Sequence, residues 1–234
     1  MTPRQVNVNS QIQTVMFIDI VNYTRTTSQL SRVELDELHE RFDSLSLPIF
    51  DMFGGKVIKK IGDAFLIVFT SPTNAVHCGI ELQRSFHAYF ALNPQERKIA
   101  IRVAMDMGEV VFRSGDVYGD AVNTAARIES IGGAHQVLLS ERVYRAMNAN
   151  EVAVVFMGKR DFKGVPVPLG VFRVKTKSDI IEEQKRKQSV KIQKVKNTLM
   201  YYITMLFALI FICIAVVVLF KIGQYLLTHP ELFY

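Results

Sequence analysis

Lys56-Val-Ile-Lys-Lys-Ile-Gly-Asp-Ala-Phe-Leu-Ile-Val-Phe69 reads as two short apolar, β-branched runs, 56–61 and 64–69, joined at Gly62-Asp63. A Gly-Asp pair between two such runs is the signal for a tight hairpin. Upstream, Ser31-Arg-Val-Glu34 fits a capping box, in which side chain and backbone at a helix start satisfy each other. Val33, Leu38, Phe42, Leu45, Ile49 and Phe53 then recur at helical spacing, with a kink expected at Pro48 and a stop at Gly54-Gly55. Before that helix, Thr14-Val-Met-Phe-Ile-Asp-Ile-Val21 reads as a buried strand.

Downstream, a second helix is expected over Thr73 to about Phe90, then strands Ile99 to Met105 and Glu109 to Arg113 paired around Gly108. The loop Ser114-Gly-Asp-Val-Tyr-Gly119 leads to a third helix, Asp120 to Ile131. Strands near Gln136–Leu139 and Val152–Met157 flank a short helix opening at Ser140, and Gly170 to Val174 closes the unit. The order is β-α-β-β-α-β with additions, which predicts a ferredoxin-like α/β sandwich.

The C-terminal fifth differs in kind. Leu199 to Phe220, LMYYITMLFALIFICIAVVVLF, carries no charge and no proline. At 1.5 Å per residue it spans about 33 Å as a helix, enough to cross a hydrocarbon core. A buried core helix seldom runs so long without a polar face. Tyr201 and Tyr202 fall where interfacial aromatics belong. Lys185, Arg186, Lys187, Lys191, Lys194 and Lys196 precede the span, whereas only Lys221 follows it. That bias predicts a single-pass membrane protein with its N-terminal domain in the cytoplasm. The cations can also meet anionic headgroups, making membrane lipid a partner.

The formal charge of +6 equals those six cations, so the rest of the chain is near balance and no nucleic-acid partner is expected. Two cysteines, Cys78 and Cys213, give no disulfide framework, and Met1-Thr-Pro-Arg-Gln-Val-Asn lacks the apolar core of a secretory leader. The expected organisation is a short segment 1–12, a globular domain 13–175, a basic helical connector 176–198, a transmembrane helix 199–220 and an extracytoplasmic tail 221–234.

Asp19 interrupts an otherwise apolar run, so it needs a partner or a strand-end position. Read alone, it fits a turn or cap residue, and Asp63 fits turn chemistry. In a β-α-β-β unit, however, a first strand end and the following hairpin can lie side by side. Two carboxylates there can share two divalent ions, as phosphate chemistry requires. Asn123 and Arg127, four apart, share one face of the third helix, where Arg127 can hold charge developing on a phosphoryl group or make a surface ion pair.

Phe17-Ile-Asp19-Ile, Lys59-Lys-Ile-Gly-Asp63-Ala-Phe and Asp116-Val-Tyr-Gly-Asp-Ala-Val-Asn123-Thr-Ala-Ala-Arg127-Ile-Glu-Ser resemble class III adenylate cyclases, in order and in spacing. The likeness covers Gln13 to Lys175. It implies that Asp19 and Asp63, with the backbone carbonyl of Ile20, hold two Mg²⁺ or Mn²⁺ ions. It implies that Lys59 and Asp116 recognise adenine, that Asn123 orients the ribose and that Arg127 stabilises the transition state. Arg102 and Lys163 fall at triphosphate-contact positions, although each also fits an ordinary surface charge. The implied activity is conversion of ATP to 3′,5′-cyclic AMP and pyrophosphate by a homodimer with shared active sites. A silent nucleotide-binding module would be expected to lose some of these residues. Another palm-type nucleotidyl transferase would carry a Gly-Gly-Asp/Glu-Glu-Phe hairpin, which this sequence lacks.

Overall fold

The computed structural model describes residues 10–228, so the segment 1–9 and the end of the tail, 229–234, lie outside the described residues. The chain divides into two units at Lys175/Thr176.

The first unit runs β1 (Ser10–Ile20), α1 (Tyr23–Thr27), α2 (Arg32–Met52), β2 (Lys56–Ile61), β3 (Ala64–Phe69), α3 (Pro72–Leu92), β4 (Ile101–Arg113), β5 (Asp116–Tyr118), α4 (Asp120–Ser130), β6 (Val137–Ser140), α5 (Glu141–Ala146), β7 (Val154–Arg160) and β8 (Leu169–Val174). The strands lie in the order β2-β3-β1-β4-β6-β8-β7, with β5 folded back on β4. The first four are all antiparallel neighbours, so β3 lies between β2 and β1, the split βαβ arrangement of a ferredoxin-like sandwich. Beyond them, β4 and β6 are parallel, as a crossover through a helix requires.

Each face of the sheet is covered, which is why β1 reads as a continuous apolar run rather than an alternating one. Met16 and Ile18 point into a core with Phe42 and Phe50 of α2 and Leu82 and Phe86 of α3. Val15 packs on the opposite face with Leu66, Val68, Val110 and the α4 residues Ala121 and Ala125. The capping box forms: Ser31 Oγ accepts from the Glu34 N–H at 3.3 Å, and the Glu34 carboxylate accepts from the Ser31 N–H at 2.8 Å.

Three expectations need correction. The strand pair around Gly108 is one continuous strand, because the eleven residues of β1 pair along it from Ile20↔Ile101 to Ser10↔Val111. Gly108 marks a close approach instead of a turn: a Cβ there would stand 3.3 Å from the Ala121 Cβ. The expected loop after Arg113 contains β5, paired Val111↔Tyr118 to Arg113↔Asp116. Finally, Val33 is exposed rather than on the buried face of α2.

The second unit is the helix α6 (Lys177–Thr228). Its stretch Asp179–Gln224 is long and apolar enough to cross a membrane, with a mean hydropathy of 3.2 in its most apolar part, none of it buried within the chain.

Candidate active site

Asp19 lies one residue from the end of β1, and the register places it between Ala64 on β3 and Arg102 on β4. Its carboxylate is nearly buried, and its Oδ2 accepts from Arg102 Nε at 2.9 Å and Nη2 at 2.5 Å. Ile20, also buried, ends the strand. Asn22 then turns the chain at φ 61°, a left-handed conformation that asparagine tolerates.

Asp63 occupies the two-residue hairpin between β2 and β3, next to Gly62 at φ +60°. Burial, the Asp19 charge and a hydrogen bond with Asp19 push its pKa up to about 6. Glu129, in the last turn of α4, touches Arg102 Nε. Burial and a hydrogen bond with Asp19 raise its pKa to about 7, against the opposing pull of Arg102. Three carboxylates thus face one guanidinium, leaving two negative charges uncompensated when all are ionised. Glu129 escaped the reading of the sequence. Its one local sign is an acid in a helix's last turn, where the macrodipole disfavours it.

Among the described residues no three His, Cys, Asp or Glu side chains converge on a metal ion. Asp19 and Asp63 nonetheless suit a divalent cation, because two carboxylates close enough to share a proton present the charge that such an ion replaces. Mg²⁺ is commonly held by one or two carboxylates with phosphate oxygens completing its shell.

Protonation of Asp63 at about pH 6, against 3.8 ordinarily, has a defined sign. The folded state binds that proton more tightly, so the group's contribution to stability is fully present below about pH 3.8 and is lost as pH rises through about 6. Asp63→Asn should therefore raise the melting temperature of the metal-free protein at pH 8 by about 2–4 °C. This corresponds to ~1 kcal/mol after discounting for solvent screening. The gain should vanish by pH 4; calorimetry in chelator at both pH values checks it.

A second group forms across β2 and β5, which are not paired in the sheet. Lys59 Nζ donates to Asp116 Oδ2 at 2.6 Å, and Asp116 Oδ1 accepts from the Val117 N–H at 2.8 Å. Both bonds hold the Asp116 carboxyl below its ordinary pKa. This pair and the Asp19 cluster share no ion pair among the described residues.

On α4, Ala121, Thr124, Ala125 and Ile128 are buried, so Asn123 is left exposed and Arg127 half-buried. The Arg127 guanidinium stands against the loop that carries Lys163: a Cβ on Gly164 would lie 3.7 Å from its Nη1. Arg127 makes no side-chain hydrogen bond or ion pair among the described residues, and neither does the exposed Lys163. Two unpaired cations on adjacent segments suit a polyanion.

The sheet order and the paired carboxylates at a strand end and its neighbouring hairpin define an α/β sandwich with an acidic site on one edge of its β1–β3 strands. The profile of the adenylate and guanylate cyclase catalytic domain matches residues 6–183. The chain belongs to this family, as a class III cyclase catalytic domain. The adenylate cyclase of Glutamicibacter nicotianae is 33% identical over 124 residues, 53% of this chain and 29% of that protein. The adenylate/guanylate cyclase/hydrolase structure from Silicibacter pomeroyi superposes with a TM-score of 0.65 at 24% identity, covering 73% of this chain and 99% of that one. The catalytic core of a rhodopsin-guanylyl cyclase with converted specificity, in complex with ATPαS, does so with a TM-score of 0.65 at 23% identity, covering 71% and 98%. The match spans between 20% and 29% of the length of the first three curated relatives.

Proposed function

We propose that the chain is an adenylate cyclase that converts ATP to 3′,5′-cyclic AMP and pyrophosphate at sites shared between two copies. The observation that carries the reading is the meeting of Lys59 and Asp116, 57 positions apart, at 2.6 Å. Adenine offers a ring-nitrogen acceptor beside an amino donor, which an ammonium and a carboxylate complement. Guanine reverses that pattern on the same edge.

In the reaction the ribose 3′-hydroxyl attacks the α-phosphorus. The new O–P bond replaces the bond to the β-phosphate oxygen, pyrophosphate leaves and the hydroxyl proton is released. Asp19 and Asp63, with the Ile20 carbonyl, would hold two Mg²⁺ or Mn²⁺ ions, which when bound neutralise phosphate charge and lower the hydroxyl pKa. Lys59 and Asp116 seat the base, Asn123 orients the ribose, and Arg127 faces charge growing on the transferring phosphoryl. Lys163 and Arg102 contact the triphosphate, Arg102 only after loosening its hold on Asp19.

In this reading residues 13–175 form the catalytic domain and 176–198 the basic connector. Residues 199–220 make a single membrane pass with the catalytic domain in the cytoplasm, and 221–234 the outer tail. The exposed cations Lys185, Arg186, Lys191, Lys194 and Lys196 support that orientation and contact with anionic lipid.

The test assays the detergent-solubilised chain with ATP and GTP, each with Mg²⁺ and Mn²⁺. Cyclic AMP from ATP is expected. Lys59→Glu with Asp116→Asn should move the ATP-to-GTP ratio of kcat/KM toward GTP by at least about tenfold. Preference for GTP in the unmodified chain, or nucleotide binding without turnover, would overturn the assignment.

A further inference from the structure

Arg102 holds carboxylates from two different elements. Its Nε and Nη2 both donate to one oxygen, Oδ2 of Asp19, at 2.9 and 2.5 Å. Nη1 reaches the Gly132 carbonyl at 3.4 Å, and Nε also touches Oε1 of Glu129. The contact with Asp19 is dictated by the sheet, because Asp19 and Arg102 are cross-strand partners. The contact with Glu129 is not: it is delivered by the final turn of α4. Little in that helix favours an acid there, since the macrodipole opposes it. Moreover, Glu129 Oε1 is buried against the Arg102 guanidinium, where a carboxylate deprived of that partner would cost stability.

We infer that Glu129 is a positioning residue that offers the Arg102 guanidinium a second seat, releasing Asp19 Oδ2 to a divalent cation. The inference rests on Asp19 and Asp63 being the cation ligands. A guanidinium that donates twice to Oδ2 competes directly with a cation for that oxygen. With Glu129 in reach, the exchange strands no charge: Arg102 keeps one carboxylate while Asp19 turns to the ion. Without Glu129, the hydrogen bonds of Arg102 among the described residues go to Asp19 and the Gly132 carbonyl alone, and cation entry must break those to Asp19. The arrangement also keeps Arg102 beside the site, with its side chain 26% exposed, able to present an N–H to an incoming phosphate. Glu129 therefore acts through Arg102 and touches neither substrate nor reacting atoms.

The test is direct titration of the full chain in detergent with Mn²⁺, without nucleotide, following the free ion by electron paramagnetic resonance. Wild-type protein should bind, and Asp19→Asn should not. Glu129→Gln should weaken binding roughly 10–100-fold, the range for losing an outer-sphere partner. Arg102→Ala should tighten it, and adding Glu129→Gln to Arg102→Ala should change nothing further. Glu129→Asp keeps the charge one methylene short of Arg102, so it carries the same prediction at smaller amplitude should the glutamine variant not fold. Equal weakening by Glu129→Gln with and without Arg102 would mean that Glu129 acts on the ion itself, and overturns the inference. So does unchanged affinity in Glu129→Gln while Asp19→Asn still loses binding. Failure of wild-type protein to bind, or binding that survives Asp19→Asn, removes the cation site and the inference with it.

Discussion

Co-expressing Asp63→Ala and Arg127→Ala chains should return about a quarter of wild-type turnover, although each alone loses at least about a hundredfold. If the Asp19/Asp63 group of one copy works with the Arg127 group of the other, random pairing makes half the dimers mixed. Each mixed dimer then holds one site with both defects and one with neither. In the single chain the Lys59–Asp116 pair shares no ion pair with the Asp19 cluster among the described residues. The same geometry argues that both variants fold. Removing Asp63 relieves the burial of a charge and its repulsion by Asp19, which together raise its pKa to about 6, and Arg127 gives up no side-chain hydrogen bond or ion pair among the described residues. Turnover of purified mixed dimers, tagged on both chains, decides the matter. Recovery near half in these purified mixed dimers, one intact site of two, supports shared sites; none at all means that each chain completes its own site.

What the sequence displayed and what it concealed divide along one physical line. The hairpin 56–69 was legible to the residue, because a two-residue Gly-Asp turn and two apolar runs are local features. So was the start of α2, where Ser31 and Glu34 are three positions apart. The apparent break at Gly108 misled because the cause of that glycine is thirteen residues away, in the close seating of Ala121. Strand β5 is three residues long and exists by pairing with β4, so no periodicity could announce it. The Arg102–Asp19 contact required knowing which strands are neighbours, and Glu129 required knowing where α4 ends. Residues whose roles depend on sequence-distant partners stay hidden until the sheet order is known, whereas the acidic hairpin declares itself.

The position where a single methyl group should do most harm is Gly119. It caps α4 at φ 154° and ψ 165°, a region essentially reserved for glycine. A Cβ there would stand 2.5 Å from the backbone oxygen of Glu109 and 3.2 Å from the Val110 Cα. Neither atom can rotate away, because both belong to β4, which is locked along its length to β1. The start of α4 must therefore move. The strain and overpacking together cost several kcal/mol, about 1–3 from each source. Function should suffer further, because Asn123 and Arg127 ride on α4, and a displacement of about 1 Å at such groups can cost about a hundredfold. Gly119→Ala should thus lower kcat/KM by about that factor or more, together with a lower melting temperature. Gly62→Ala is the control: its added Cβ meets nothing within 4 Å and carries only the strain of φ +60°, so it should cost about 1 kcal/mol and leave α4 in place. Gly119→Ala protein with wild-type kcat/KM would show that α4 tolerates displacement, and that Asn123 and Arg127 do not depend on where it starts.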